Sequence, residues 1–372
     1  MTSIMKHTAC LHVDLDAICY NWQLLNRQSE PQCRTGAVVK ANAYGLGMAP
    51  IATALYKAGC RDFFTARADE ACLLDDHFQN TNCHDAHIIV FDGILEGQEA
   101  LFQKHNFIPT LNNKAQIERA RKIALQQNKP FACIIHIDTA MTRLGFGADE
   151  WRELLKDDDW SEGLDVQYIM SHLASADDPT SRQNDQQLAL FHEITQMLPY
   201  ARSLANSGGI NLHNPFHFDL TRPGLSIYGL SPCVDNALSD LRCAIRLTTD
   251  ILQIRNISKG TTIGYGASFV APTDMRVATL GIGYADGILR HYKDHLNVRV
   301  NDIPCPLVGR ISMDSCVIDI THLSDRDTPP LEAVIFDKDF TPKDLANRTD
   351  TIAYEIITTL GERVLRLYDD GK

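Results

Sequence analysis

The sequence predicts an α/β protein made of two domains, an N-terminal (β/α)8 TIM-like barrel and a C-terminal mostly-β domain. Its 372 residues are enough for one large domain and a smaller one. From about residue 35 to residue 230, short apolar runs alternate with longer helical patterns, whereas after Pro232 β-like runs follow one another without helix-length gaps. We therefore expect the barrel at 12–235 and the β domain at 236–372.

Eight short runs supply the predicted barrel strands. Each is rich in β-forming residues and mostly apolar on both faces, which is typical of a buried parallel strand. They are GAVVK (36–40), DFFTAR (62–67), HIIVFDG (87–93), FIPTL (107–111), FACIIHID (131–138), DVQYIMSHL (165–173), ARSLAN (201–206) and HFDLTRPG (217–224). Helical spacing separates them: Ile117, Ala120 and Ala124 share one face of 113–128, and another helical pattern covers 183–198. This alternation favours a (β/α)8 barrel, and an open doubly wound sheet is the alternative that fits it.

The C-terminal domain is predicted from strand-like runs that are separated by turn signals. The runs are 243–257, 275–284, 296–300 and 315–320, and Ser258-Lys259-Gly260 is one of the turns. Two helical patterns follow late in the chain: 342–347, with Thr341 as N-cap and Pro342 in the first position, and 351–360. The alternating segment CLHVDLD (10–16) precedes the first helix, and we expect a strand at 9–14 to join this domain rather than the barrel.

Composition excludes several functional classes. Forty-seven acidic against 35 basic residues give a net charge of −12, which argues against a nucleic-acid-binding surface. No run approaches the ~18 consecutive apolar residues that a membrane span needs. Lys6, His7, Asp14 and Asp16 leave no room for a signal-peptide core, and the eleven scattered cysteines fit a reducing compartment. Because no CxxC pair occurs, we expect no zinc ribbon or other metal site, and we predict a cytoplasmic protein.

Polar residues collect at the C-terminal ends of the predicted barrel strands, where catalytic side chains of such barrels lie. They are Lys40, Arg67, Asp92, Arg143, His172, Asn206, Ser207 and Arg222. A lysine that ends an apolar strand among other cations has a lowered pKa, which suits covalent capture of a carbonyl group. From the residues alone, an ordinary strand-end lysine remains the alternative.

The segment AVVKANAYGLG (37–47) resembles the pyridoxal-phosphate attachment motif of the alanine racemases. Further motifs similar to that family follow in order along both domains: DTAMTRLGF (138–146), SHLASADD (171–178), ANSGG (205–209), LTRPGLSIYG (220–229), GYGASF (264–269), GIGYADG (281–287), VGRISMD (308–314) and YEIITTLGERVLRLY (354–368). The resemblance implies a homodimeric isomerase whose two active sites each borrow residues from the partner. It implies interconversion of L-alanine and D-alanine with pyridoxal 5'-phosphate, which supplies D-alanine for peptidoglycan in the cell wall.

The resemblance also implies two catalytic bases. Lys40 binds the cofactor and acts on the D side, and Tyr265 of the other subunit takes the α-proton of the L enantiomer. Racemisation needs two groups on opposite faces, because one fixed base tends to return its proton to the same side. An unperturbed tyrosine has a pKa of ~10, so nearby cations such as Arg143 must stabilise its phenolate. Read alone, Tyr265 is better explained as an aromatic residue packed in a glycine-rich turn.

Arg222 is the residue that best separates this family from other pyridoxal-phosphate enzymes. Many of those enzymes place a carboxylate on the pyridine nitrogen. An arginine keeps its proton and donates a hydrogen bond to an unprotonated nitrogen, which limits leakage into transamination. The resemblance makes His172 a hydrogen-bonded residue that orients Arg222. Without the resemblance, Arg222 is an arginine before a turn-forming Pro-Gly pair and His172 is a strand-end histidine.

The remaining site residues follow from the same resemblance. Backbone N–H groups and hydroxyls suit the cofactor phosphate, and the residues expected around the cofactor are Tyr44, Asn206, Ser207, Gly224, Leu225 and Tyr354. Met313 and Arg143 are expected beside the substrate. We expect the mouth of the site to be narrow, which favours a small substrate. The residues expected to narrow it are Asp177, Tyr284, Arg290 and Arg310.

The sequence departs from the family pattern at a few positions. His136 stands where many members carry a carbamylated lysine that holds the Arg143 position, so another anion or a neutral hydrogen bond must replace the carbamate. Ala140, Thr358 and Leu365 replace a common Gly, Cys and Pro. The alternatives to an alanine racemase are a racemase of broader specificity acting on serine or lysine, a barrel decarboxylase, and a non-catalytic pyridoxal-phosphate-binding protein. The decarboxylases use an acidic partner for the ring nitrogen, and the non-catalytic proteins lack the second domain.

Overall fold

The computed structural model describes residues 7–212, 214–233, 238–323 and 332–369. The chain separates into two compact units: one spans Ile18–Leu241, and the other combines the described residues up to Ala17 with those from Arg242 onward. The expected boundary at 235/236 falls outside the described residues. Within the described ranges, no helix has the length and apolar character needed to cross a membrane.

The chain begins with strand β1 (Ala9–Asp14) and helix α1 (Leu15–Arg27) and then enters the barrel unit. Its strands are β2 (Arg34–Thr35), β3 (Ala37–Val38), β4 (Asp62–Thr65), β5 (His87–Val90), β6 (Ile108–Leu111), β7 (Phe131–His136), β8 (Leu164–Met170), β9 (Ala201–Ser203) and β10 (Leu220–Thr221). Its helices are α2 (Lys40–Tyr44), α3 (Met48–Lys57), α4 (Ala68–Asn80), α5 (Glu99–His105), α6 (Lys114–Gln127), α7 (Ala148–Leu154), α8 (Arg182–Thr195) and α9 (Ser207–Leu212).

Parallel pairing in chain order makes the barrel. Strands β3 to β9 form a seven-stranded sheet, and β10 pairs with β2, which runs directly into β3. The Gly36 N–H donates to the Thr221 carbonyl and the Arg222 N–H to the Ala205 carbonyl, each at 2.9 Å, so β10 joins both edges of the sheet. The predicted (β/α)8 barrel is therefore confirmed, and the open doubly wound alternative is wrong because sequential pairing and closure leave no reversal of strand order.

The predicted helices form where the apolar spacing placed them. Helix α6 begins after Asn113, whose side-chain oxygen accepts from the Gln116 N–H at 3.1 Å, and it ends at Asn128, which adopts φ 51°. Its residues Ile117 and Ala120 are buried. Helix capping and an apolar face thus fix this element from local sequence.

The β unit is built around one long strand. Its strands after β1 are β11 (Ile245–Ile257), β12 (Thr262–Ile263), β13 (Phe269–Val270), β14 (Met275–Leu280), β15 (Arg299–Val300), β16 (Ile303–Pro304), β17 (Cys316–Asp319), β18 (Glu332–Phe336) and β19 (Leu365–Asp369), with helices α10 (Pro342–Ala346) and α11 (Ala353–Thr358). Strand β11 pairs antiparallel with β1, β14 and β18, and β1 pairs parallel with β19. Helix α10 has the predicted cap: the Thr341 hydroxyl accepts from the Asp344 N–H at 3.3 Å, and Pro342 is its first residue.

Candidate active site

Lys40 stands at the start of a left-handed turn that follows the first barrel strand. Ala41, Asn42, Ala43 and Tyr44 all have φ between 51° and 57°, a conformation that costs an L-residue roughly 1–2 kcal/mol. The turn is held by the Ala43 N–H donating to the Val39 carbonyl at 2.8 Å and by Glu70, whose carboxylate accepts from the Ala41 N–H at 2.6 Å. Strain of this kind persists where surrounding contacts over-determine it, often at functional sites.

The electrostatic setting of Lys40 favours its neutral amine. Burial lowers the pKa of Lys40, and the positive charge of Arg143 lowers it further, while Glu70 and Asp92 act in the opposite direction. The ammonium lies 5.6 Å from the centre of the Phe91 ring. A lysine with a lowered pKa presents more of the nucleophilic free amine near neutral pH.

Arg222 is buried with one nitrogen left unsatisfied. Its two terminal nitrogens donate to the Ser203 hydroxyl and to the carbonyls of Ser171, at 2.6 Å, and Leu204, at 3.3 Å. Its Nε has no hydrogen-bond partner, although the residue is only 2% exposed. Burial lowers the pKa of Arg222 to about 9, so the guanidinium keeps its charge at pH 7. A buried N–H without an acceptor is costly, and an unprotonated ring nitrogen is the acceptor that would satisfy it.

Two histidines beside Arg222 are held neutral. Burial lowers the pKa of His172 well below 6.5, and the charges of Arg222 and Arg143 lower it further. The hydrogen bond expected between His172 and Arg222 is not formed: the Arg222 terminal nitrogens donate to Ser203, Ser171 and Leu204, and its Nε has no partner. Arg222 therefore acts on His172 through its charge and not through a hydrogen bond.

The side chain of Asn112 fixes the tautomer of His136. Asn112 donates its amide to the carbonyls of Phe91 at 3.0 Å and Thr110 at 2.9 Å, so its oxygen faces His136 Nδ1 at 2.7 Å and must accept. The proton therefore sits on Nδ1 and the lone pair on Nε2. Burial lowers the pKa of His136 to about 3, with Arg222 adding to the effect. A neutral acceptor thus occupies the place where the family resemblance implied an anion.

A tight cradle lies across the barrel mouth between two loops. Ser207 Oγ accepts from the N–H groups of Gly224 at 2.9 Å and Ser226 at 3.3 Å. A Cβ on Gly224 would clash with the Tyr44 hydroxyl, so only glycine permits this approach. Hydroxyls and backbone N–H groups in this arrangement suit a phosphate. Together with the unsatisfied Nε of Arg222 and the lysine amine, this donor set fits pyridoxal phosphate.

The other predicted residues of the barrel unit lie around this cradle or on the surface. Asn206 accepts from the Gly209 N–H at 2.9 Å through its side-chain oxygen. Leu225 is buried at the start of a short 3-10 helix after Gly224. Arg143 and Asp177 are exposed in the loops after β7 and β8. Arg143 is nevertheless close enough to lower the pKa of both Lys40 and His172.

In the β unit, Tyr265 stands on an exposed turn. Gly264 and Gly266 flank it with φ 74° and 70°, and Tyr265 is 72% exposed. Arg310 lies beside this turn, since a Cβ on Gly266 would lie 3.3 Å from its Nη1. A large aromatic side chain held on a glycine-flanked turn and left open to solvent is available to a surface outside its own unit.

Four more predicted residues lie in the β unit, and two of them lie side by side. The Tyr284 N–H donates to the Ser312 carbonyl and the Ala285 N–H to the Met313 carbonyl, each at 3.0 Å, which brings Tyr284 beside Met313. Met313 is 52% exposed. The predicted residues outside this pairing are Arg290, which begins a short exposed 3-10 helix, and Tyr354, which is half-buried in α11.

Sequence reasoning missed three residues that shape the barrel site. Glu70 could have been found, since it is the third residue of α4 and its carboxylate also accepts from the Ala66 N–H at 2.9 Å, a capping pattern. Asn112 directly follows β6, and a polar residue at a strand end is the same signal that identifies Lys40. Ser203 lies within β9, and its sequence gives no signal that it contacts Arg222.

Comparison with known proteins matches both units to the same protein family. The family model "Alanine racemase, N-terminal domain" matches residues 13–232, and "Alanine racemase, C-terminal domain" matches 244–368. The chain is 38% identical to the alanine racemase of Dinoroseobacter shibae over 364 residues, which cover 98% of this chain and 99% of that protein. It is 38% identical to the alanine racemase of Rickettsia akari over 368 residues, which cover 96% and 98%.

Solved structures give the same result. The crystal structure of alanine racemase from Bartonella henselae with covalently bound pyridoxal phosphate is similar with a TM-score of 0.91 and 36% identity, covering 98% of this chain and 100% of that chain. Alanine racemase from Streptomyces coelicolor is similar with a TM-score of 0.89 and 30% identity, covering 98% of each chain.

Proposed function

The chain belongs to the alanine racemase family, and we propose that it interconverts L-alanine and D-alanine with pyridoxal phosphate bound through Lys40. The observation that carries this proposal is the buried Nε of Arg222, an N–H without a partner in a cradle of neutral groups. A decarboxylase of the same barrel class would place a carboxylate at this position. The arginine therefore supports the racemase over that alternative.

The bound cofactor supplies an electron-withdrawing ring that acidifies the α-carbon of an attached amino acid. Arg222 would hold the ring nitrogen through a hydrogen bond donated by Nε and, because it keeps its own proton, would leave that nitrogen unprotonated. His136 and His172, both neutral, add no competing positive charge near the ring. This arrangement moderates electron withdrawal and favours return of the proton over loss of the substrate's amino group.

Lys40 Nζ accepts and returns the α-proton on one face of the substrate. Its pKa is lowered by burial and by Arg143, so the amine can accept a proton near neutral pH and then return it. Tyr265 acts on the opposite face in the site of the partner subunit of a homodimer. Its 72% exposure on a glycine-flanked turn supports this, because the ring lies open to a second copy.

The substrate is held by Arg143 and by the backbone of Met313, and the mouth of the site is narrowed by Asp177, Tyr284, Arg290 and Arg310. This makes alanine the preferred substrate over serine or lysine. A racemase of broader specificity is the second candidate. Equal rates with alanine, serine and lysine under the same conditions would favour it.

We place the enzyme in the cytoplasm, where it supplies D-alanine for peptidoglycan. The supporting observation is chemical: Cys60 and Cys133 are fully buried, and burial raises the pKa of each thiol. Such thiols pack as small apolar groups, which is typical of proteins from reducing compartments.

The cofactor assignment is tested on the purified protein. We expect a yellow enzyme whose visible absorption band disappears on borohydride reduction, and peptide mass spectrometry should then locate the added pyridoxyl group on Lys40. Lys40→Ala should show neither the band nor the label. A label on another lysine, or release of carbon dioxide from alanine, would contradict the proposal.

A further inference from the structure

A cavity of about 290 Å³ opens at the N-terminal ends of the barrel strands, away from the catalytic cradle. Arg34, Asp62 and His87 line it, and they are the first residues of β2, β4 and β5. Lys40 lies six positions after Arg34, beyond the end of β3, and an extended chain of that length spans up to ~20 Å at ~3.3 Å per residue. None of the residues that line the cavity belongs to the catalytic cradle. The cavity is therefore separate from the site that holds Lys40.

The polar side of the cavity is an ordered ionic triad. Asp62 is buried, and its two carboxylate oxygens pair with different partners, Arg34 Nη2 at 2.7 Å and His87 Nδ1 at 2.9 Å. A carboxylate can only accept, so His87 carries a proton on Nδ1. With both oxygens engaged, Asp62 orients the two basic side chains.

The basic side chains face the opening. The Arg34 and His87 side chains are 46% and 47% exposed, against 6% for Asp62 beneath them. A guanidinium has five N–H donors, and the ion pair with Asp62 is made through Nη2. Arg34 thus has donors left for a second anion, and the Tyr168 phenol lines the same cavity. An arginine edge matches the two oxygens of a carboxylate.

Most of the remaining wall is apolar. It is formed by Ile89, Ile108, Ala132, Ile134 and Leu220, and Asn106 and Gln167 are its polar members. An inorganic anion would leave this surface facing water, whereas a short hydrocarbon chain would cover it. The ammonium group of an α-amino acid lies one carbon from its carboxylate, so it would be held beside the Arg34 guanidinium, where both oxygens of Asp62 are already used. We propose that this cavity is a binding site for small aliphatic carboxylates that carry no ammonium group.

Butyrate is the probe for this site, and isoleucine methyl NMR of the holoenzyme is the readout. The δ1-methyl resonances of Ile89, Ile108 and Ile134 are assigned by Ile→Val substitution and followed during titration. We expect saturable shifts at these methyls with butyrate, and none at the same concentration of butylamine, L-alanine or inorganic phosphate. Shifts caused by butyrate at the catalytic cradle would persist when this cavity is filled, so the cavity-filling variant separates the two sites.

Two variants and a matched control complete the test. Arg34→Gln removes the cation and should weaken butyrate binding about tenfold or more. Because that change also leaves Asp62 with one partner fewer, Ala132→Leu fills the cavity without altering any charge and should abolish the shifts. Arg246→Gln, which breaks an exposed ion pair with Glu332 in the β unit, should leave them unchanged. The proposal is overturned if butyrate moves none of the three methyls, if Ala132→Leu still binds it, or if butylamine or phosphate produces equal shifts.

Discussion

The buried neutral state of His136 makes the fold sensitive to acid, and His136→Gln should remove part of that sensitivity. Burial lowers the pKa of His136 from 6.5 to about 3. Between these two values the unfolded chain binds a proton that the folded protein does not, so stability falls as the pH is lowered through this range. From pH 7 to pH 5 the loss assigned to this residue is about 2 kcal/mol, since each pH unit below 6.5 contributes ~1.4 kcal/mol.

Glutamine is the appropriate replacement because its amide is neutral and keeps a donor for the Asn112 oxygen. The free energy of unfolding is measured by urea denaturation of wild-type and variant holoenzyme at pH 7 and pH 5. We expect the wild type to lose about 2 kcal/mol more than His136→Gln over this interval. His84→Gln, a change at an exposed histidine, is the control and should follow the wild type. An identical pH dependence for wild type and His136→Gln would refute the reasoning.

Three further substitutions test the site. Gly224→Ala places a Cβ against the Tyr44 hydroxyl, so it should cost ~1–3 kcal/mol of stability and speed the loss of cofactor on dialysis. Gly147→Ala, where the nearest atom is 3.9 Å away, should do neither, and equal cofactor loss in both variants would contradict the cradle. Ala41→Gly should stabilise the protein by roughly 0.5–1 kcal/mol, because it relieves a left-handed alanine, whereas Ala54→Gly in α3 should destabilise it. If thermal unfolding shows stability changes of the same sign for both variants, the turn is not strained. Arg222→Glu should lower racemisation about 100-fold and produce pyruvate from alanine, and unchanged pyruvate formation would argue against the proposed role of Arg222.

Local sequence predicted the barrel because its signal is periodic. Strands β3 to β10 lie within or overlap the predicted apolar runs, β2 lies just before the first of them, and α10 has the predicted N-cap. In the β unit, strands β12, β13, β16, β18 and β19 were not predicted. Strand β19 is partly exposed and polar, and its pairing with β1 joins residues more than 350 positions apart, so no local pattern indicates it.

The candidate site was predictable in its residues but not in its contacts. Motifs placed Lys40, Ser207, Arg222 and Gly224 at strand ends, and the structure brings them to one mouth of the barrel. The left-handed turn after Lys40 could not be predicted, because Ala and Tyr disfavour that conformation, a single Asn does not indicate a turn of four residues, and tertiary contacts such as that of Glu70 impose it. The choice of Ser203 rather than His172 as a partner of Arg222 likewise depends on packing across strands.

The central claim is that each active site combines Lys40 of one subunit with Tyr265 of the other, and mixing two inactive variants tests it most directly. Lys40→Ala and Tyr265→Ala are each expected to be inactive in exchanging the α-proton of L-alanine in deuterated water. When the two are unfolded together and reassembled, a mixed dimer has one site with both defects and one intact site. A twofold dimer assembled at random therefore recovers about a quarter of wild-type activity. No recovery, in a mixture shown to contain mixed dimers, would contradict the shared site.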